Sequence, residues 1–259
     1  MSDTISITLN NLFSLKGKRG IITGGSSGLG LEMSRLLASA GAEIFSLSRS
    51  GKVKTELSEP LPSNITQVKV DVTDYQMVQD SIQAIGEKGN IDFLINNAGI
   101  TEKGLAQSFE MAQFEQIQRV NVDAVFNLCK TCYPYLKKAE SPSRIVMISS
   151  MAAHLGFSEV TPYCTSKAAI TGLTRGLAVE WAPDAILVNS VAPGWFPSEM
   201  HKQVVDKTRH EKILARMPLH RYGHPKELAA MVLYLISPAA SYITGQDFAV
   251  DGGALIFGY

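Results

Sequence analysis

The chain has 259 residues, of which 45% are hydrophobic and 19% charged, and its 24 basic and 24 acidic side chains leave no formal net charge. A domain of this size buries about three quarters of its chain surface, so the composition predicts one ordered globular domain that needs no disulfide or metal to stay folded. The neutral balance argues against a nucleic-acid-binding protein, and no apolar run reaches the ~18 residues needed to span a bilayer.

Apolar runs of strand length alternate with amphipathic stretches of helix length along the whole chain. Seven runs predict strands, at residues 20–23, 43–47, 66–70, 93–96, 144–149, 185–191 and 247–250. Apolar residues at helical spacing lie between them, as at Leu36, Leu37 and Ala40 and at Ala169, Leu173, Leu177 and Trp181. This alternation predicts an α/β fold, a single Rossmann-like doubly wound parallel sheet of about seven strands with helices on both faces.

Two stretches depart from a simple strand–helix alternation. Residues 50–64 contain Pro60 and Pro62 and predict a loop in place of a helix. Residues 119–138 predict one helix, and Cys129 and Cys132 within it are interpreted as buried thiols, since a redox pair is expected where a strand turns into a helix. An odd number of cysteines and an amino-terminal stretch without the pattern of a secretory signal favour a cytoplasmic protein.

A glycine-rich turn, Thr23-Gly24-Gly25-Ser26-Ser27-Gly28-Leu29-Gly30, leads from the first strand into a helix. Glycines allow a tight turn and a close approach to a diphosphate, whose charge the amino terminus of the helix binds. A plain tight turn also needs glycine, so this turn alone is weak evidence. The predicted dinucleotide-binding residues in it are Gly24, Ser26, Ser27, Gly28, Leu29 and Gly30.

The glycine spacing resembles that of the short-chain dehydrogenase/reductase family, and further motifs follow in the family's order and spacing. They are Asn96-Asn97-Ala98-Gly99, Asn121, Ser149-Ser150, Tyr163-Cys164-Thr165-Ser166-Lys167, Pro193-Gly194 and Asp251-Gly252-Gly253. The resemblance covers nearly the whole chain. It implies a single dinucleotide-binding and catalytic domain over residues 1–259, a nicotinamide-dependent oxidoreductase without a metal, and a homotetramer or homodimer.

Tyr163 and Lys167 are four residues apart, so on a helix they share one face. A nearby ammonium favours phenolate and is expected to lower the tyrosine pKa from about 10 towards neutrality, where the phenol exchanges a proton with an alcohol or ketone. The resemblance implies that Ser150 binds the substrate oxygen, that Tyr163 is the general acid/base, that Lys167 also holds the nicotinamide ribose, and that Asn121 supports a water chain for protons. Ser149 is the alternative serine, but the family spacing favours Ser150.

Cofactor choice depends on the end of the second strand. An acidic side chain there would bind the ribose hydroxyls of NAD, but the sequence reads Ser48-Arg49. A guanidinium binds phosphate with two parallel bonds and Ser48 adds a hydroxyl, so NADP(H) is predicted. Ser27 stands where many relatives have a second basic residue, so NAD(H) use stays open. The resemblance implies further cofactor contacts from Asp71, Val72, Asn97, Ala98, Gly99, Tyr163, Lys167, Pro193, Gly194, Phe196 and Ser198.

Substrate contacts are expected in a lid segment at about residues 195–217, which follows Pro193-Gly194. Trp195, Phe196 and Met200 could wall an apolar side of the pocket beside Ser150, and His154 could touch substrate or be an ordinary loop residue. Residues 199–221 hold six basic and three acidic side chains, which favours an anionic substrate, although a solvated helix face would carry the same charges.

Three functional hypotheses fit the chain. Residues 13–18 and the Asp-Gly-Gly ending resemble the sugar-acid and polyol branch that includes gluconate 5-dehydrogenase. The Pro-Gly-x-Phe-Pro-Ser run resembles some 3-oxoacyl thioester (acyl-carrier-protein) reductases. A cofactor-sensing binding protein is disfavoured because Asn121, Ser150, Tyr163 and Lys167 are all present. The apolar carboxyl-terminal residues 254–257 predict burial, either against a neighbouring subunit or within the chain itself.

Overall fold

The sheet is built from seven parallel strands in the order β3-β2-β1-β4-β5-β6-β7. The computed structural model describes residues 8–54, 60–198 and 207–257. The strands are β1 Arg19–Thr23, β2 Glu43–Ser48, β3 Ile65–Lys69, β4 Phe93–Asn96, β5 Ser143–Ile148, β6 Ile186–Pro193 and β7 Asp247–Val250. The predicted parallel sheet of seven strands is therefore confirmed, with strand ends that differ from the prediction by at most two residues.

Helices cover both faces of the sheet. They are α1 Leu9–Phe13, α2 Gly28–Ser39, α3 Tyr75–Gly86, α4 Met111–Gln118, α5 Ala124–Leu136, α6 Thr161–Trp181, α7 Lys207–Ala215 and α8 Pro225–Ile236. The described residues between β2 and β3 contain no helix, as predicted. No helix in the part of the chain that the structure describes is both long and apolar enough to cross a membrane.

Each central strand contributes to two hydrophobic cores, because successive side chains of a strand point to opposite faces. Ile21 and Leu94 pack in the core beneath α3, α5 and α6. Their neighbours Ile22 and Ile95 pack in the other core, beneath α2 and α8. Burial on both faces explains why these strands are nearly continuous in apolar residues, each of which contributes about 1.5–3 kcal/mol when fully buried.

The predicted helix over 119–138 is wrong at its start. The helix begins at Met111, and Arg119–Asp123 form a π turn that joins α4 to α5. Such a turn places an extra residue in the helix and is common at functional sites. Cys129 and Cys132 in α5 are buried, and burial raises the pKa of both thiols, so their interpretation as inert core residues is confirmed.

The strand order places a crevice at the carboxyl ends of β1 and β4. The chain proceeds from β1 outward to β2 and β3, then returns to β4 on the other side of β1 and continues outward to β7. The connections after β1 and β4 therefore leave in opposite directions. Ligands of open α/β sheets bind at such a switch point.

Candidate active site

The glycine-rich turn joins β1 to α2 and leaves space that side chains would fill. Gly24 and Gly28 have φ angles of +69° and +52°, in the left-handed region that favours glycine. A Cβ on Gly30 would lie 2.3 Å from the carbonyl oxygen of Gly24. Ser27 occupies the N-cap position of α2 and makes no side-chain capping bond. The first amide groups of α2 thus adjoin an open cradle that fits a dinucleotide diphosphate.

Thr23 and Asn97 hold this turn against the end of β4. Thr23 Oγ1 accepts hydrogen bonds from the backbone N–H groups of Asn97 and Ala98, both at 3.0 Å. Asn97 Nδ2 donates to the carbonyl oxygens of Thr23 at 2.9 Å and Gly24 at 3.3 Å. Thr23 was not among the predicted site residues, although its position as the last strand residue before the glycines was a usable signal.

Asn121 in the π turn lies beside Gly99, where it approaches Lys167. Its side chain is 1% exposed, accepts a hydrogen bond from the Ile100 N–H at 2.8 Å, and donates to the Ile100 carbonyl at 2.9 Å and to Ser166 Oγ at 3.0 Å. A Cβ on Gly99 would lie 3.3 Å from Asn121 Oδ1 and 3.6 Å from Lys167 Nζ. The amide therefore fixes the chain after β4 next to the Lys167 ammonium.

Ser150, Tyr163 and Lys167 lie together at the carboxyl end of β5. Lys167 Nζ is 5.6 Å from the centroid of the Tyr163 ring and donates to the Ile148 carbonyl at 2.7 Å. Ser150 lies close enough to Tyr163 for its hydroxyl to lower the pKa of the phenol. The structure thus brings together three of the four predicted catalytic side chains, with the fourth, Asn121, next to the Lys167 ammonium.

The protonation of Tyr163 differs from the sequence-based expectation. Burial raises the pKa of Tyr163 to about 12, while its hydrogen bond to Ser150 acts in the opposite direction. Burial also lowers the pKa of Lys167 to about 8, so the lysine still carries its charge at neutral pH. The direction of the Tyr163 shift is opposite to the expected lowering, because desolvation is its largest cause.

The two adjacent serines point to different partners. Ser149 is 1% exposed, and its Oγ donates to Asp247 Oδ1 at 2.8 Å. Ser150 is half-buried, its Oγ accepts a hydrogen bond from the Ala152 N–H at 3.1 Å, and its hydroxyl lowers the pKa of the neighbouring Tyr163. This arrangement favours Ser150 over Ser149 as the serine that faces a substrate.

The end of β2 presents a basic side chain beside the glycine-rich turn. Ser48 is buried and Arg49 is exposed, and Arg49 has no ion pair with any residue that the structure describes. Asp71 after β3 accepts hydrogen bonds from the Thr73 N–H and hydroxyl, which, with the charge of Arg49, hold its pKa below the usual range. Val72 beside it is 9% exposed.

Lys54 is a second basic residue in this region, and the sequence analysis did not identify it. Its backbone N–H donates to the carbonyl oxygen of Ser26 at 3.0 Å, and its side chain is exposed. The segment after Arg49 therefore folds back onto the glycine-rich turn, close to Ser27. The signal in the sequence was the loop predicted in place of a helix after β2. A loop allows the residues after Arg49 to fold back onto the glycine-rich turn.

The segment after β6 approaches the same crevice. The Gly194 N–H donates to the Val250 carbonyl at 2.8 Å, and a Cβ on Gly194 would lie 2.5 Å from Asp251 Cα. Ser198 Cβ lies 4.0 Å from where a Cβ on Gly28 would be, which brings this predicted cofactor residue to the glycine-rich turn. The Phe196 side chain is buried in the core beneath α2 and α8, so only its backbone is available to a cofactor.

The predicted substrate residues fall into three groups. Trp195 packs edge-on against Phe157, with ring centroids 5.9 Å apart, and forms an aromatic wall. His154 is paired with Asp247 through Nε2 at 2.6 Å. Met200 lies outside the described residues.

Two observations bear on charge and metals. Arg221, part of the basic segment 199–221, makes two hydrogen bonds to Glu227 at 2.8 and 2.6 Å, so its charge is already paired.

Within residues 8–54, 60–198 and 207–257, no group of three or more His, Cys, Asp or Glu side chains is arranged to hold a metal ion. His224 instead caps α8, since its Nδ1 accepts a hydrogen bond from the Lys226 N–H at 3.2 Å.

Comparison with known proteins places these features in context. Residues 24–254 match the family model described as enoyl-(acyl carrier protein) reductase. The chain is 36% identical to the 3-oxoacyl-[acyl-carrier-protein] reductase of Thermotoga maritima, over 93% of this chain and 99% of that protein. It is 33% identical to the 2-dehydro-3-deoxy-D-gluconate 5-dehydrogenase of Bacillus subtilis, over 95% and 98%. A gluconate 5-dehydrogenase from Burkholderia cenocepacia, crystallised with NADP and tartrate, superposes with a TM-score of 0.86 at 30% identity, over 95% of this chain and 98% of that one.

Proposed function

Because the chain belongs to the short-chain dehydrogenase/reductase family, whose members are oxidoreductases, we propose that it interconverts a ketone and a secondary alcohol with NADP(H). The observation that carries this proposal is the convergence of Ser150, Tyr163 and Lys167 beside the glycine-rich cradle. The proposed substrates are small keto or hydroxy compounds, of which a sugar acid or polyol is the first candidate.

The side chains supply the proton chemistry of this reaction. Nicotinamide, when bound, supplies or accepts the hydride. The raised pKa keeps Tyr163 protonated at neutral pH, which is the form that donates a proton to a carbonyl oxygen during reduction. The Ser150 hydroxyl, which lies beside Tyr163, would donate a hydrogen bond to the same oxygen. Lys167 and Asn121, which meet at Gly99, would hold the ribose and the route by which Tyr163 is reprotonated.

A preference for NADP(H) over NAD(H) is supported by the side chains around the end of β2. A 2′-phosphate on the adenosine ribose would find the Arg49 guanidinium, the Ser48 hydroxyl and, through the folded-back segment, the Lys54 ammonium. Lys54 would supply the second positive charge that Ser27 does not provide.

Fluorescence titration with NADPH and NADH tests this preference. We expect Arg49→Ala and Lys54→Ala each to weaken NADPH binding by roughly 5- to 50-fold, the loss of one charge-assisted contact, and to leave NADH binding unchanged. Lys88→Ala is the matched control, since Lys88 is an exposed lysine between α3 and β4, towards the amino ends of the strands and away from the glycine-rich turn. Equal affinity of the unmodified protein for both cofactors would refute the preference.

A substrate panel tests the reaction itself. Oxidation of NADPH is followed with 5-ketogluconate, other keto-sugars, keto acids, simple diketones and a 3-oxoacyl thioester. Turnover concentrated on a keto-sugar acid would support the sugar-acid assignment, which rests on the resemblance to gluconate dehydrogenases that includes the tartrate-bound relative.

Reduction of 3-oxoacyl thioesters is the second candidate. It is supported by the 36% identity to an acyl-carrier-protein reductase and by the aromatic wall of Trp195 and Phe157, which would suit an apolar chain. Turnover confined to the thioester would select it. Tight NADPH binding without turnover of any panel member would favour the third hypothesis, a cofactor-sensing protein.

A further inference from the structure

One carboxylate, that of Asp247 at the start of β7, contacts side chains from three other parts of the chain. Its Oδ1 accepts hydrogen bonds from Ser149 Oγ at 2.8 Å and Ser190 Oγ at 2.6 Å, and its Oδ2 lies 2.6 Å from His154 Nε2. The Asp247 side chain is 11% exposed, and both serines are buried. Both carboxylate oxygens are engaged, and bonds to an ionised acceptor are roughly twice as strong as neutral ones.

Two of these three contacts lie on either side of Ser150. Ser149 immediately precedes it, and His154 follows it by four residues. Between them, Met151–Ala153 form a 3₁₀ turn in which the Ala153 N–H donates to the Ser150 carbonyl at 2.9 Å. The third contact, Ser190 in β6, touches the same carboxylate but does not belong to this segment.

We propose that Asp247 is a positioning residue that clamps residues 149–154 from both ends and thereby fixes the Ser150 hydroxyl against Tyr163. This inference rests on the proposed role of Ser150 in substrate binding. The cluster is not a nucleophilic Ser-His-Asp triad, because Ser149 and His154 each bond to the carboxylate and the serine has no bond to the imidazole.

The clamp matters because, among the described residues, the Ser150 backbone makes only a local hydrogen bond, from the Ala153 N–H to its carbonyl; the nearest long-range backbone bond runs from the Ser149 N–H to the Val191 carbonyl. The position of the Ser150 Oγ relative to Tyr163 and the Ala152 N–H therefore depends on where residues 150–154 lie. A misplacement of about 1 Å in a catalytic group can cost about 10²-fold in rate. Release of either end of the segment should therefore lower kcat, while the cofactor cradle at β1 and α2 stays unchanged.

The chain offers a matched pair of variants for the test. Ser149→Ala and Ser190→Ala each remove one hydroxyl from the same carboxylate oxygen at a buried site, but only Ser149 belongs to the Ser150 segment. The Ser149 N–H keeps its bond to the Val191 carbonyl at 2.8 Å in this variant, so the variant isolates the contribution of the side chain. His154→Phe releases the other end, and His154→Gln is the conservative variant, since its amide can still donate to Asp247. Ser149 is too deeply buried to touch substrate. An effect of Ser149→Ala therefore cannot come from the loss of a direct substrate contact, whereas an effect of a His154 variant could.

Two readouts are measured for each variant. The first is hydrogen–deuterium exchange of residues 150–154, which needs no substrate. The second is kcat and KM for 5-ketogluconate with NADPH, or for the 3-oxoacyl thioester if the panel selects it, together with the NADPH dissociation constant. We expect faster exchange and a kcat lower by about 10-fold or more in Ser149→Ala and His154→Phe, with NADPH affinity unchanged. Ser190→Ala should stay close to the unmodified protein in both readouts, and His154→Gln should keep the exchange protection of residues 150–154.

The same loss of protection in Ser190→Ala as in Ser149→Ala would overturn the clamp, since it would make Asp247 a general packing residue. Unchanged exchange and kcat in Ser149→Ala and His154→Phe would overturn it as well. The proposed function fails separately, if Ser150→Ala retains normal turnover. In that case the exchange experiment still decides whether Asp247 holds the segment.

Discussion

Burial sets the protonation of the two ionisable side chains at the centre of the site. It raises the pKa of Tyr163 to about 12 and lowers that of Lys167 to about 8, so both shifts favour the neutral form. At neutral pH Tyr163 is a protonated phenol beside an ammonium. A protonated Tyr163 can donate its proton directly to a carbonyl oxygen, as reduction requires. Oxidation of an alcohol would first require Tyr163 to lose that proton.

Tyr163→Phe tests the role of that phenol. It removes the hydroxyl and keeps the ring, so we expect turnover to fall by about 10²–10⁴-fold, the usual contribution of a general acid. The far-UV circular dichroism spectrum should stay unchanged, because the ring keeps its place in α6, and the variant should still bind NADPH. Near-normal turnover in a folded variant that binds NADPH would mean that another group supplies the proton.

Lys167→Met tests the burial of the ammonium through the pH dependence of stability. The folded-state pKa of about 8 lies below the unfolded value of 10.5, so between these values the unfolded chain binds more protons and stability rises with pH. Relative to Lys167→Met, the unmodified protein should gain on the order of 2 kcal/mol of unfolding free energy between pH 8 and 10. Urea unfolding at four pH values measures this gain, and a constant difference between the two proteins would contradict it. The range ends at pH 10 because Tyr163, with its raised pKa, acts in the opposite direction above it.

Among the elements, the π turn between α4 and α5 decides the position of Asn121. The π turn inserts one extra residue into the helix. Without that residue, the side chains after the turn would be rotated about the helix axis relative to those before it. The turn is held by the Asn121 amide, whose bonds to Ile100 and Ser166 connect α5 to the loop after β4 and to α6.

Asn121→Ala should therefore destabilise the fold as well as the site. It leaves the Ile100 N–H and carbonyl without their partner, and each buried unpaired group costs about 1–3 kcal/mol. We expect a loss of about 3 kcal/mol in the free energy of unfolding. Asn127→Ala, six residues further on, should cost far less, since Asn127 Nδ2 has no hydrogen-bond partner among the described residues. Equal losses in the two variants would show that the bonds of Asn121 are not what holds the turn.

For the whole molecule, the carboxyl-terminal segment bears on assembly. Within the single chain Ile256 is 88% exposed and Phe257 is 47% exposed, so burial inside the chain does not account for these apolar side chains. Asp251 shapes the preceding turn by accepting hydrogen bonds from the Gly253 and Leu255 N–H groups. We propose that this segment packs against another copy of the chain in a cytoplasmic homotetramer or homodimer.

Light scattering after size-exclusion chromatography tests the assembly. The unmodified protein should have a mass of two or four chains, and Ile256→Asp should shift it to a smaller species, because a charge would be buried at the interface. Leu9→Asp is the control, an exposed leucine in the first helix. A monomeric unmodified protein would contradict the proposed assembly.

The sequence by itself determined the sheet and which side chains of the candidate site lie near one another along the chain. The apolar runs predicted all seven strands. The signal is clearest for the central strands, because strands buried on both faces must be apolar throughout. The spacing of Tyr163 and Lys167 indicated a shared helix face, and the glycine spacing indicated a turn open to a diphosphate. These features are local, since they depend on residues a few positions apart.

Only the tertiary structure decided what depends on distant parts of the chain. Desolvation reversed the expected pKa shift of Tyr163, because it sums the atoms of many elements around the phenol. The hydrogen bond between Lys54 and Ser26 joins residues 28 positions apart in the sequence, and that between Asp247 and Ser149 joins residues 98 positions apart. Contacts over such separations follow from the folded path of the chain, which no short pattern of residues specifies.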